Sequence, residues 1–432
     1  MARALQRKGK TMVDEMVTEF CHELLKRELI PAMGCTEPIA VALAAARARE
    51  ELGRLPERMT VRCSGNVVKN VKGVVVPNTD GRKGIEVSAV LGAVAGRSRQ
   101  ELEVLSGVTQ TELEQMESLR KKGICRVALL ENVPGLDIIV EMEAGDERAL
   151  VEIAGRHTEI VRVEHNGKEV IKKQRKFKED TEEKYERLSL RIIYEYAVDG
   201  DLQPVRSLLK RQAEYNRAIS TEGLKGDYGC GVGKTILKSC GAGVRARARA
   251  WAAAGSDARM AGCSMPVVIN SGSGNQGMTA SLPVLAYAQE LGAGDEKVYR
   301  ALALSNLLAI RLKSGIGRLS AFCGAVCAAC GAGAAVTWLQ GGDFEAVSRT
   351  VDNMLANVSG IVCDGAKPSC AAKIASCVDA ALLSSELALK GKKFQEGIVG
   401  DCADETIENV VCLAKIGMRE TDLEILRIMT RE

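Results

Sequence analysis

The run Leu136–Lys172, LDIIVEMEAGDERALVEIAGRHTEIVRVEHNGKEVIK, decides how the chain is divided. Apolar and polar residues alternate over Leu136–Ala144, Arg148–Ala154 and Ile160–His165, the period of half-buried strands. Asn166-Gly167 then leads into Glu169–Lys172, and that dipeptide is a strong hairpin signal. Upstream, Cys125–Leu130 and Thr60–Ser64 read as further strands, and Gly73–Pro77 as a strand edge. Gly84–Ala95 and Glu101–Lys121 read as helices between them. Outside this region the period changes. Met16, Phe20, Leu24 and Leu25 recur at helical spacing near the start, and almost everything after Leu188 reads helical. The expected architecture is a mainly α-helical catalytic domain from residues 1–55 and 180–432, with a smaller α+β domain, residues 56–179, inserted. Lys168–Lys184 reads as a charge-dense connector, and His157 and His165 as surface residues of the inserted part.

Composition narrows the function. The 432 residues carry a net charge of +3 and only 3% aromatics, which argues against nucleic acid as a partner. No apolar run reaches membrane-spanning length, and the Ala/Gly-rich run Ala321–Trp338 reads as a buried helix, so no membrane partner is expected. With no secretory signal, a cytoplasmic location is expected. Fifteen cysteines is an odd and high count for such a chain, while three histidines leave few members for a zinc site or a Ser-His-Asp triad.

Several motifs compete for the chemistry. Gly231-Val232-Gly233-Lys234-Thr235 lacks the upstream glycine of a phosphate-binding P-loop, since Tyr228 stands there. It reads instead as a glycine turn with Lys234 or Thr235 near a pocket. Cys323, Cys327 and Cys330 have the C-x3-C-x2-C spacing of radical cluster enzymes, but they lie in an Ala-rich helix with no barrel around it. Cys363 and Cys370 are better partners for Cys323, because Asp364-Gly365 and Pro368 force a loop between them. Three thiolates on a 4Fe–4S cube leave one iron open as a Lewis acid. Ser271-Gly272-Ser273-Gly274-Asn275-Gln276-Gly277 sets polar side chains between glycines, whose exposed amides suit a carboxylate. Cys63-Ser64-Gly65-Asn66 is a weaker copy. Gly34-Cys35-Thr36-Glu37-Pro38 opens a helix, with Thr36 as its expected cap, and a cysteine at a helix start is favoured as thiolate.

In Gly34–Pro38, Ser271–Gly277 and Cys363–Cys370 the chain resembles the L-cysteine desulfidase family, related to the α chain of iron–sulfur-dependent L-serine dehydratase. The resemblance runs from about residue 15 to 420. It implies an oxygen-sensitive 4Fe–4S cluster, easily lost in air, on Cys323, Cys363 and Cys370. It implies Cys35 as catalytic base. The polar loop residues Ser271, Ser273, Gly274, Asn275 and Gln276, with Ser64 and Asn66 of the weaker copy, are expected around a small amino-acid substrate. The implied reaction takes L-cysteine to pyruvate, ammonia and sulfide. The alternatives are L-serine dehydration at the same site, and an iron–sulfur sensor or scaffold without turnover. A homodimer is the expected assembly.

Overall fold

A computed structural model describes residues 15–130, 133, 135–173 and 188–430. The protein is mainly helical with one substantial sheet. That sheet has six strands: β2 (Arg58–Ser64), β3 (Cys125–Leu130), β4 (Asp137–Ala144), β5 (Glu147–Ala154), β6 (Ile160–His165) and β7 (Lys168–Lys172). Their order is β3-β2-β4-β5-β6-β7, with β2 and β3 parallel and every other pair antiparallel. The alternation in β4–β6 and the Asn166-Gly167 turn thus give the expected meander, and Asn166 takes the positive φ of 49° that such a turn needs.

The sheet is covered by the Thr36–Leu52 helix, which also packs against the Ile85–Ala95 helix. The Thr36–Leu52 helix is therefore buried almost all round, which is why it reads as Ala-rich with no polar stripe. The Glu15–Glu28 helix packs instead on the C-terminal helices. There, Ala- and Gly-rich helices at Val244–Met260, Gly274–Glu290, Asp295–Ile316, Gly324–Leu339 and Cys370–Leu389 pack on one another. Small side chains allow the close approach, and one continuous apolar core runs through the sheet and the helices. No helix among the described residues is long and apolar enough to cross a membrane.

Some local expectations change. Glu101–Lys121 is not one helix: a 3-10 helix covers Ser98–Glu103, turns follow through Gly107, whose φ is +78°, and a new helix starts at Gln110. Thr109 and Glu112 form a capping box there, a start signal inside the charged run. Gly73–Pro77 makes only an isolated bridge, Val75 to Lys83. The Met265–Ile269 run holds a strand, β8 (Pro266–Val268), antiparallel to β1 (Pro31–Met33). The next helix begins at Gly274 and carries Pro283 in its interior, so the second half of the polar loop is a first helical turn. The connector expected at Lys168–Lys184 is β7 at its start, and residues 174–184 lie outside the described residues.

Candidate active site

Three cysteines form one wall of a pocket. Cys323 is the N-cap of the Gly324–Leu339 helix, and Cys370 is the first residue of the Cys370–Leu389 helix. A bridge between Phe322 and Val362 fixes Cys323 against Cys363. Its backbone bonds are Cys323 N to Ile361 O at 2.8 Å and Cys363 N to Ala321 O at 2.7 Å. The loop after Cys363 runs against the Gly65–Val71 helix, so closely that a Cβ on Gly365 would sit 2.5 Å from the Lys69 carbonyl. Cys323, Cys363 and Cys370 all line the pocket. Cys327 and Cys330 do not; they are buried in the helical core, which removes the radical-cluster spacing as a site.

A further part of the wall is built by the β1–β8 pair, and Cys370 packs against it. The antiparallel register of that pair brings the residues after Met33 to those before Pro266. Cys35 therefore packs with Met260, and Arg259 Nε donates to the Gly34 carbonyl at 2.9 Å. Cys35, not Thr36, is the N-cap of its helix, and it makes no capping bond. Thr36 donates its hydroxyl to the Gly272 carbonyl at 2.8 Å, tying this turn to the polar loop. The Cys35 thiol donates to Glu37 Oε2 at 3.0 Å, and Asn70 Nδ2 donates to Glu37 Oε1 at 2.9 Å. His157 is buried, not on the surface, with Nε2 3.5 Å from Glu37 Oε1. His165 does lie on the sheet's partly exposed side, bonded to Glu147.

These neighbours set opposite proton states. Burial, then the Glu37 carboxylate, pushes the Cys35 thiol well above its ordinary value. The helix start does not make Cys35 a thiolate, because a buried carboxylate accepts its proton's hydrogen bond. Burial also pushes Glu37 up, but His157 and the thiol outweigh it and bring the carboxyl down to about 2. In the same pocket, the Cys323 thiol beside Cys363, with Lys69 and Lys313, outweighs burial and brings Cys363 down to about 6. Cys323 is raised by donating to Cys363 and by burial.

Of the residues expected to hold substrate, Ser273, Asn275 and Gln276 line the pocket. Ser271, at φ +50°, turns to Asn270, and Gly274 lies under the Arg259 guanidinium. Ser64 lies away from the pocket wall, accepting from Asp137 N and donating to the Gly135 carbonyl. Asn66 is likewise elsewhere, donating to Asp422. Lys234 and Thr235 are also outside the wall; their turn holds the chain's own Asp257, which accepts from Gly233 N at 3.1 Å. The cations and acids of the pocket, Glu37, Lys69, Arg259, Lys313 and Arg318, had no local signal except Glu37, which stands inside the Gly34–Pro38 motif.

Among the described residues no three His, Cys, Asp or Glu side chains converge tightly enough to share a single metal ion. A cube is wider than an ion and spreads its ligands over several irons. Three free cysteines on one pocket, with the Lys69 and Lys313 charges beside them, fit such a sulfur-ligated cluster in donor type and charge.

A family model described as "Serine dehydratase alpha chain" matches residues 99–427. A UPF0597 protein of Lachnoclostridium phytofermentans is 52% identical over 94% of this chain and 98% of its own length. Another from Desulfitobacterium hafniense is 49% identical, covering 95% and 96%. One from Treponema denticola is 42% identical, covering 97% and 100%.

Proposed function

From the fact that the chain belongs to the serine dehydratase alpha chain family, we propose that this lyase removes sulfide from L-cysteine, yielding pyruvate, ammonia and hydrogen sulfide. The observation that carries this reading is the meeting of Cys323, Cys363 and Cys370 with the Cys35–Glu37 pair in one pocket. Cys323, Cys363 and Cys370 would hold a 4Fe–4S cluster, whose open iron, when bound, supplies a Lewis acid for the departing sulfur. The chain's own part is proton handling. Cys35 takes the substrate's Cα proton as a thiolate; in the free pocket its own thiol proton is held against Glu37 Oε2, 3.0 Å away, and leaves to solvent before that step. Asn70 and His157 hold Glu37 in place beside that thiol. Sulfide leaves as the Cα–H electrons form the double bond, and the resulting 2-aminoacrylate hydrolyses to pyruvate and ammonia.

Loss of water from L-serine is the second reading, favoured by the name of the matching family. A sensor without turnover would need the three cysteines but not a buried Cys35–Glu37–Asn70 network. The same reading takes the sheet-bearing segment as a lobe inserted in the helical one, and the protein as a cytoplasmic homodimer. Anaerobic reconstitution with iron and sulfide, followed by parallel pyruvate assays on L-cysteine and L-serine, tests it. Turnover of L-cysteine supports the first reading. Turnover of L-serine alone selects the second, and a loaded protein inert toward both overturns the enzyme reading.

A further inference from the structure

The Gly274–Glu290 helix starts in the pocket with its end open. Ser273 is its N-cap, yet the Ser273 side chain makes no capping bond. The first turn's backbone N–H groups, at Gly274, Asn275 and Gln276, have no carbonyl partner within the helix. Such an end attracts anions. Arg259 lies flat against it: a Cβ on Gly274 would meet Arg259 Nε at 2.4 Å.

Arg259 is 2% exposed and donates to two neutral oxygens, the Gly34 carbonyl and Asn275 Oδ1 at 3.1 Å. Among the described residues no carboxylate lies within 4.0 Å of it. A guanidinium has five N–H donors, so most of its capacity and all of its charge are unmatched. The pocket's other cations differ. Arg318 is paired with Glu28 at 2.7 Å and Lys69 with Asp422 at 2.6 Å, while Lys313 faces the thiols of Cys323, Cys327 and Cys363.

Gln276 supplies the second, independent mark. It is 4% exposed, it lines the pocket, and its Oε1 has no hydrogen-bond donor. It is pressed against the Cys323 end, where a Cβ on Gly324 would lie 2.6 Å from that oxygen. A buried acceptor without a donor is costly unless a ligand provides one.

Resting on the amino-acid lyase reading above, we propose that this helix start and Arg259 hold the α-carboxylate of the substrate, while Gln276 Oε1 accepts from its α-ammonium. The site then reads a zwitterionic α-amino acid at both ends, leaving its Cβ substituent free toward the cysteines.

Calorimetry with three inert probes tests this: L-alanine, propanoate (no ammonium) and ethylamine (no carboxylate). The wild-type protein is expected to bind L-alanine best, propanoate roughly 10-fold more weakly, and ethylamine weakest, by about 100-fold. Arg259→Gln should weaken L-alanine and propanoate alike, by roughly 10- to 100-fold, and leave ethylamine unchanged. Gln276→Leu should weaken L-alanine about 10-fold and leave propanoate unchanged. Equal weakening of all three probes by Arg259→Gln would give Arg259 a structural role only and overturn the proposal, as would ethylamine binding as well as L-alanine. If Arg259→Gln does not fold, Arg259→Lys and the wild-type probe order decide. Turnover of L-cysteine or L-serine with the wrong probe pattern sinks this assignment alone. The right pattern in a loaded protein that turns over neither sinks the lyase reading alone.

Discussion

Two thiols in this pocket, Cys363 and Cys35, stand in opposite proton states although both come from cysteine-bearing loops beside helix starts. Cys363 is lowered to about 6 by a neighbouring thiol and two lysines. Cys35 is raised well above its ordinary value by burial and by the carboxylate to which it donates. The first is the readier thiolate near neutral pH, and the second keeps its proton in the free pocket. Neighbouring charge, more than the helix end, sets what a cysteine does here.

The largest test of this contrast is a pair of variants. Cys363→Ser should lose cluster absorbance and turnover together. Cys35→Ser should keep the absorbance and lose turnover by about 10²–10⁴, the usual cost of a missing general base. Loss of the cluster in Cys35→Ser would erase the difference between the two thiols. A sharper test is alkylation of the metal-free protein at pH 7, read by mass spectrometry. Cys363 should be modified faster than Cys35 by on the order of 10² or more, and its rate should fall as pH drops below about 6.

Glu37 gives a smaller, thermodynamic effect. Its folded carboxyl lies near 2 against an ordinary 4.5, so it adds stability that is complete above 4.5 and lost as pH falls toward 2. The shift corresponds to about 3 kcal/mol. Wild-type stability measured in urea should decline over that window, and Glu37→Gln should be lower at pH 7 and flatter. An unchanged acid limb in Glu37→Gln would mean that Glu37 does not hold the charge assigned to it. The smallest effect belongs to Ser64→Ala, which should cost about 1 kcal/mol of stability and leave the KM for L-cysteine unaltered.

The sequence displayed what depends on neighbours in the chain. Alternation and Asn166-Gly167 revealed the meander, and Asp364-Gly365 with Pro368 revealed the loop that presents Cys363 and Cys370. Residues whose roles arise from tertiary contact were not legible. His157 sits in a turn with no local pattern and becomes part of the site only because that turn reaches Glu37. Arg259 looks like one more basic residue of an Ala/Arg helix until β1 and β8 bring Gly34 beside it. Ser64 and Asn66 failed in the opposite sense: their composition copied the polar loop, but their partners are Gly135, Asp137 and Asp422.

The β1–β8 pairing has a consequence in time. A ribosome releases Cys35 long before the segment that holds it in place, because β1 at Pro31–Met33 must wait for β8 at Pro266–Val268. Cys323, Cys363 and Cys370 emerge later still. The six strands can meet first, since they lie between residues 58 and 172. A nascent chain can therefore carry the sheet before it carries the pocket, and the proposed cluster would have no complete site until Cys370 has been made. Loading of the proposed cluster would then follow synthesis of Cys370, and a product that stops short of that residue would lack the full set of thiols.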